Sequence, residues 1–288
     1  MDSNQLSQFS AAQLAKLIAT KALSPVELTE AYLDRIDRYD SQLHSYITVC
    51  RDECLADARK AEQAVTAGDK LGPLHGLPMA LKDQYETKGI LTTGGSRSLG
   101  SYVPEFDATT VARMKQAGAI LLGKLNMTQF ASGMPDPYQY HDPPRNPWGQ
   151  ERDPLGSSTG SGIALAASMC SISLGEDTGG SIRCPSSANG VVGLRPTWGR
   201  VSRHGILPLC WSMDTGGPMS RTVEDTAIIM NIIAGYDSKD PLTSRLPVPD
   251  YTKAISADLS GVRAGILREL TDPPNADQEV SKAVRAAA

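Results

Sequence analysis

The sequence predicts an α/β fold in which helices cover a β-sheet on both faces, and three observations carry that prediction. Capped amphipathic segments open the chain. From Leu71 onward, short apolar runs punctuated by glycine and proline alternate with further helical segments. The 288 residues, 40% hydrophobic and 21% charged, suffice to bury one large core or two ordinary ones.

The elements follow in order. Ser10 can cap the helix "AAQLAKLIATKAL". In "SPVELTEAYLDRIDRY", Ser24 is the N-cap, Pro25 takes the first helical position and Glu27 completes a capping box. A third helix is expected over 52–67, ahead of Gly68. Strand-like runs come next: "LPMALKD", "AILLGK", "SISLGED" and "GVVGLRP". Between the first two lies the helix "DATTVARMKQAG", with Asp107 as cap and Gly118 as stop. Thr222 caps "TVEDTAIIMNIIAG", and "GVRAGILREL" reads as one more strand over 262–270. The segment 237–250 is loop-like, and no repeat or low-complexity tract is visible. "NADQEVSKAVRAAA" begins a helix that, in an alternating architecture, expects another strand after it. We therefore expect a single domain over 1–288 that lacks its C-terminal part.

Composition excludes several classes of function. Lys+Arg 28 against Asp+Glu 32 gives a net charge of −4, with no basic run to grip phosphates, so direct nucleic-acid binding is not expected. Five cysteines (Cys50, Cys54, Cys170, Cys184, Cys210) lack paired CxxC spacing and fit small buried hydrophobes in a reducing compartment. The N-terminus lacks the basic-then-apolar order of a signal peptide. No apolar run approaches the ~18 residues of a membrane helix. A cytoplasmic protein is expected.

The stretch "GSSTGSGIALAASMCSISLGEDTGGSIRCPSS" holds nine serines in 32 residues and no histidine. A serine needs a base before it can act as a nucleophile, and the base is not evident. Gly156 to Gly160 matches the GxSxG elbow of α/β-hydrolases, but "RNPWGQERDPL" before it is no strand and only His204 follows. Gly118 to Lys124 has phosphate-loop spacing, yet Leu125 stands where Ser or Thr should hold magnesium and the residues between the glycines form a strand. His44, His75, His141 and His204 lie far apart along the chain, and none stands at ligand spacing from another His or a Cys, so no metal is expected. Asp177-Thr178-Gly179-Gly180-Ser181 is more informative. It follows a strand, and its glycines let successive N–H groups point into one concavity suited to developing negative charge. Ser181 ends that turn. Lys82 ends an apolar strand, where desolvation lowers a lysine from its ~10.4 reference toward use as a base.

Together "GPLHGLPMALKD", "DATTVARMKQAGAILLGKLNMTQFA", "RNPW…GSSTGSG", "DTGGSIRCPSSANGVVGLRPTWGRVSRHG" and "GPMSRTVED" resemble the amidase signature family, in the family's order, over about 14–270. The resemblance implies a mixed twisted sheet and a catalytic set of Lys82, Ser157 and Ser181, the two serines 24 residues apart as in the family. Neutral Lys82 would deprotonate Ser157, which relays the proton of the nucleophile Ser181. Backbone N–H groups of Thr178, Gly179, Gly180 and Ser181 would form the oxyanion hole. Thr178 would contact substrate oxygen, Ala131 and Ser132 would line the pocket, and Asp177 and Arg183 would support the glycine turn. Leu155, Thr159, Gln84 and Gln129 depart from the family's usual residues without removing a reacting atom. The implied reaction is hydrolysis of a carboxylic amide, with no metal or organic cofactor and a small-molecule amide as partner. Alternatives are the A subunit of a glutamyl-tRNA(Gln) amidotransferase, releasing ammonia from glutamine, and an inactive fragment. "MTQFASG" and "MPDPYQYHDPPRNP" do not choose between these readings, and homodimerisation stays open.

Overall fold

A computed structural model describes residues 3–132 and 139–288, so most of "MPDPYQY" lies outside the described residues. Two capped helices open the chain. In α1 (Ala11–Ala19), Ser10 Oγ accepts from the Gln13 N–H and the Gln13 side chain returns to the Ser10 N–H. In α2 (Pro25–Leu43), Ser24 and Glu27 form the expected capping box with Pro25 at the first position. Both helices bury one stripe, Leu14 and Ile18 on α1 and Leu28, Tyr32 and Ile36 on α2. β1 (Tyr46–Val49) leads into α3 (Arg51–Ala67), which ends at Gly68 in the left-handed conformation. Cys50 and Cys54 are both buried at its start.

The centre of the fold is β2 (Pro78–Lys82), α4 (Thr109–Gln116), β3 (Ile120–Leu125), α5 (Thr159–Ala166) and β4 (Ile172–Glu176). There follow α6 (Arg183–Asn189), β5 (Val192–Gly193), β6 (Gly216–Ser220) and α7 (Val223–Ile233). The six strands run in the order β1-β3-β2-β4-β6-β5. The middle three are parallel, and β1, β5 and β6 pair antiparallel, so the sheet is mixed as the resemblance implied. Every residue of β2, β3 and β4 is buried, as expected of strands covered on both faces. Apolar side chains such as Met79, Leu81, Leu122, Ile172 and Leu174 make that core, each contributing roughly 1.5–3 kcal/mol by its burial. Because β2 and β4 are parallel neighbours, with Leu81 opposite Leu174, their C-terminal ends deliver Lys82 and Glu176 to the same edge.

Gly160, the last glycine of the elbow-like pattern, has a packing role. A Cβ there would fall 2.4 Å from Ser45 O and 2.6 Å from the Asn126 nitrogen, so only glycine lets α5 approach the chain beside β3.

Two expectations are corrected. Asp107 does not cap α4. Ala108 holds that position without a side-chain bond, whereas Asp107 accepts from the Lys88 N–H and from Lys115 Nζ. Residues 262–270 form no strand. They run without a ladder partner into the single turn α8 (Arg268–Thr271), with Val262 67% exposed. The expected C-terminal helix is present as α9 (Gln278–Ala287), capped by Asp277. α8 and α9 belong to a second compact unit, Lys253–Ala288, distinct from the unit that ends at Thr252. Within it, Ser281 Oγ donates to Thr271 O and Arg285 pairs with Asp272. No helix among the described residues is long and apolar enough to cross a membrane.

Candidate active site

Strand β2 ends in a lysine that water does not reach: Lys82 is 0% exposed. Its Nζ lies 2.8 Å from Ser157 Oγ, 3.2 Å from Glu176 O and 3.2 Å from Glu176 Oε2. Burial pulls Lys82 below the ordinary lysine value, outweighing the carboxylates of Glu176, Asp177 and Asp214, which push it up. Ser157 is also fully buried and follows a cis Gly156–Ser157 peptide in the loop before α5. The next residue fastens this loop. Ser158 Oγ donates to Glu176 O and accepts from the Glu176 N–H, both at 3.2 Å, and the Ser158 N–H donates to Ser181 O. The loop carrying Ser157 is thereby tied both to β4 and to the turn carrying Ser181.

That turn is organised by Asp177. Its carboxylate accepts from the N–H groups of Gly180 (2.7 Å), Ile182 (3.1 Å) and Arg183 (3.3 Å), and from the Arg183 guanidinium (3.0 and 3.1 Å). Arg195 adds an ion pair at 3.2 Å. Burial pushes the Asp177 carboxyl up, but Arg183 and the three N–H donors pull it further down, so it sits below the usual carboxylate range. Asp177 thus joins the Arg183 guanidinium to the backbone of the turn. Gly180 has φ +138°, a conformation L side chains rarely adopt, and a Cβ there would meet Cys184 Sγ at 2.8 Å. Ser181 is half-buried, and among the described residues its Oγ has no hydrogen-bond partner.

Two expected roles are modified. The Gly180 N–H is engaged by Asp177, so it does not stand open to a substrate oxygen as the N–H groups of Thr178, Gly179 and Ser181 can. The Thr178 hydroxyl lies 2.8 Å from Glu176 Oε1 and 2.6 Å from Asp214 Oδ1, and its one hydrogen is shared between two carboxyls instead of being offered to a ligand. Ala131 is buried with φ 59° and Ser132 is exposed. Their segment adjoins the Ser157 loop, because a Cβ on Gly156 would meet Thr128 Cγ2 at 3.2 Å.

Sequence reasoning missed Glu176 and Asp214. The available signal was an acid ending an otherwise apolar strand. A second buried lysine also has its partner: Lys124 Nζ lies 3.1 Å from Asp83 and 2.7 Å from both Tyr85 O and Thr92 Oγ1. Asp83 therefore pairs with Lys124 and leaves Lys82 to Ser157. The lysine of the phosphate-loop-like pattern is framework. His44 and His141, distant in sequence, meet edge-on with ring centroids 6.0 Å apart. Among the described residues no group of three or more His, Cys, Asp or Glu could hold a metal ion.

Fold and site define a class: a mixed α/β sheet that sets a buried lysine against one serine and carries a second serine on a glycine turn braced by aspartate. The Amidase family model matches residues 27–288, and the chain belongs to the amidase signature family. The A subunit of glutamyl-tRNA(Gln) amidotransferase from Desulfatibacillum aliphaticivorans is 43% identical over 284 residues, covering 97% of this chain and 58% of that protein. The solved peptide amidase of Stenotrophomonas maltophilia superposes with a TM-score of 0.79 at 38% identity, covering 85% of this chain and 52% of that one. The solved A subunit of glutamyl-tRNA(Gln) amidotransferase from Thermotoga maritima gives 0.69 at 36% identity, covering 86% and 50%. The chain spans little more than half the length of the curated relatives it matches.

Proposed function

We propose that this chain carries the acyl-transfer machinery of an enzyme that hydrolyses a carboxylic amide to an acid and ammonia or an amine. The observation that carries the reading is the 2.8 Å contact between fully buried Lys82 Nζ and Ser157 Oγ. Burial lowers Lys82 below the ordinary lysine value and so favours the neutral amine that can accept a proton, and no histidine is needed. Lys82 takes the Ser157 proton while Ser157 takes that of Ser181. Ser181 Oγ then bonds to the amide carbon, and the N–H groups of Thr178, Gly179 and Ser181 receive the developing oxyanion. The C–N bond breaks, the amine leaves with the proton returned through Ser157, and water hydrolyses the Ser181 ester. Ala131 and Ser132 line the pocket.

A second reading gives the amide a source: glutamine, with the ammonia passed to a partner. It is favoured by two relatives, at 43% and 45% identity, that are named as the A subunit of glutamyl-tRNA(Gln) amidotransferase. Both readings use the same acyl-enzyme. They are separated by ammonia release from glutamine measured against simple aliphatic and aromatic amides.

The chemistry itself is tested by exposing the chain to a serine-directed fluorophosphonate and mapping the adduct by mass spectrometry. One adduct on Ser181, lost in Lys82→Ala and in Ser181→Ala, is expected. An adduct that persists at full rate in Lys82→Ala, or that maps to another serine, would overturn the assignment. A well-folded chain that takes no label would favour the inactive alternative.

A further inference from the structure

For Lys82 to act as base, its lone pair must stay aimed at Ser157. A neutral lysine amine has two hydrogens and one lone pair. Three oxygens surround Lys82 Nζ, and two of them belong to one residue: Glu176 O and Glu176 Oε2, each at 3.2 Å. The third is Ser157 Oγ, at 2.8 Å. With both amine hydrogens directed to Glu176, the lone pair has only the Ser157 hydroxyl left to meet. Both members are 0% exposed, so water cannot substitute for either acceptor.

Glu176 is itself held on several sides. Its backbone is fixed in β4 and by both hydrogen bonds to Ser158 Oγ. Its Oε1 receives the Thr178 hydroxyl, which also contacts Asp214. Asp214 is in turn anchored by the N–H groups of Leu209 (2.9 Å) and Cys210 (2.8 Å). The carboxyl therefore has a single orientation available, with one oxygen for the lysine and one for the threonine.

Resting on the reading of Lys82 as base, we infer that Glu176 is a positioning residue: its main-chain and side-chain oxygens together take the two amine hydrogens of Lys82 and thereby direct the lone pair to Ser157, with Thr178 and Asp214 fixing the carboxyl. The groups facing Lys82 are Glu176 and Asp177 at the end of β4 and Asp214 from the loop before β6, all of which favour the ammonium form. Asp83, the residue after Lys82, and Lys124 on the neighbouring β3 are occupied by each other.

The test compares Glu176→Ala and Glu176→Gln with the parent chain in two measurements. The first is the pH dependence of Ser181 labelling by a fluorophosphonate. Glu176→Ala should lower the plateau rate by about 100-fold, within the range of a general-base contribution. Glu176→Gln keeps an oxygen towards Lys82 and should restore most of that rate, with the acid limb moved to lower pH because a charge favouring the ammonium is gone. A plateau in Glu176→Ala within about twofold of the parent, or a Gln variant as slow as the Ala variant, would overturn the inference. The second is the pH titration of the Lys82 ε-carbon resonance in lysine-labelled protein, assigned by its loss in Lys82→Met. Its midpoint should fall in Glu176→Gln, and an unmoved midpoint would overturn the inference without reference to catalysis. If the parent chain takes no label, the reading of Ser181 fails and the resonance alone decides the role of Glu176. If the Ala variant does not fold, the limb and midpoint of the Gln variant decide it.

Discussion

Replacing Asp177 by asparagine tests how the turn that carries the proposed nucleophile, Ser181, is held. Asparagine keeps one carbonyl oxygen, able to serve Gly180 N and Arg183 Nη2, and puts an amide NH2 where Oδ2 stood. Three donors then face a donor: the N–H groups of Ile182 and Arg183 and the Arg183 Nε. Ile182 is fully buried, so its stranded N–H carries the whole desolvation cost of about 1–3 kcal/mol. The Arg183 side chain is 56% exposed and water replaces much of what it loses, so its share is about 0.5–1 kcal/mol. The sum is a destabilisation of about 1.5–4 kcal/mol at neutral pH, read as a lower urea midpoint, together with slower labelling of Ser181 as its turn loosens. The pH dependence has a definite sign. Asp177 is depressed in the folded protein, so its contribution is present above the unfolded aspartate value near ~3.9 and is lost as pH falls through the lower folded value. The gap between parent and variant should therefore narrow in acid. A variant within about 0.5 kcal/mol of the parent at neutral pH would refute the reasoning.

Two further substitutions probe the framework. Gly160→Ala should lose about 1–3 kcal/mol, because its methyl would press on the backbone of Ser45 and Asn126, and an unchanged melting temperature would contradict the packing described. Arg203→Ala breaks a pair with Asp240 in which both side chains are nearly inaccessible, at 3.0 and 2.9 Å, and should cost about 3–5 kcal/mol in urea unfolding. The same change removes the cation between Trp198 and Trp211, whose rings lie 4.7 and 4.4 Å from it, so emission from these two of the three tryptophans should shift; unmoved emission would argue against the stack.

The sequence was most legible where structure is local. The Ser24–Glu27 capping box and the Gly68 stop each depend on residues within one turn, and both stand where expected. The placement of Lys82 and Ser181 in the fold was legible because compact apolar strands lead to both, Lys82 ending β2 and Ser181 lying in the turn after β4. The elements missed or misjudged depend on distant partners. β1 is only "YITV", and β6 is "GGPMS", with glycines and a proline that carry no strand pattern; each is a strand because its neighbour in the sheet makes it one. Residues 262–270 have strand-like composition and no ladder to join. Asp107 resembled a cap, but Lys115 one helix face away and the Lys88 N–H compete for its oxygens. Glu176 went unnoticed beside Asp177, because its significance lies in a lysine 94 residues earlier.

That separation bears on when reactivity can appear during folding. Lys82 is 75 residues from Ser157 and 94 from Glu176, and the three meet only once β2 and β4 lie side by side with the Ser157 loop closed over them. Contacts of such long sequence span carry a large loop-closure entropy and tend to form late. A compact intermediate with its helices formed but these strands unpaired would contain every atom of the proposed catalytic set and yet be chemically inert. Covalent capture of Ser181, followed over time after dilution from denaturant, would therefore act as a clock for the arrival of native topology.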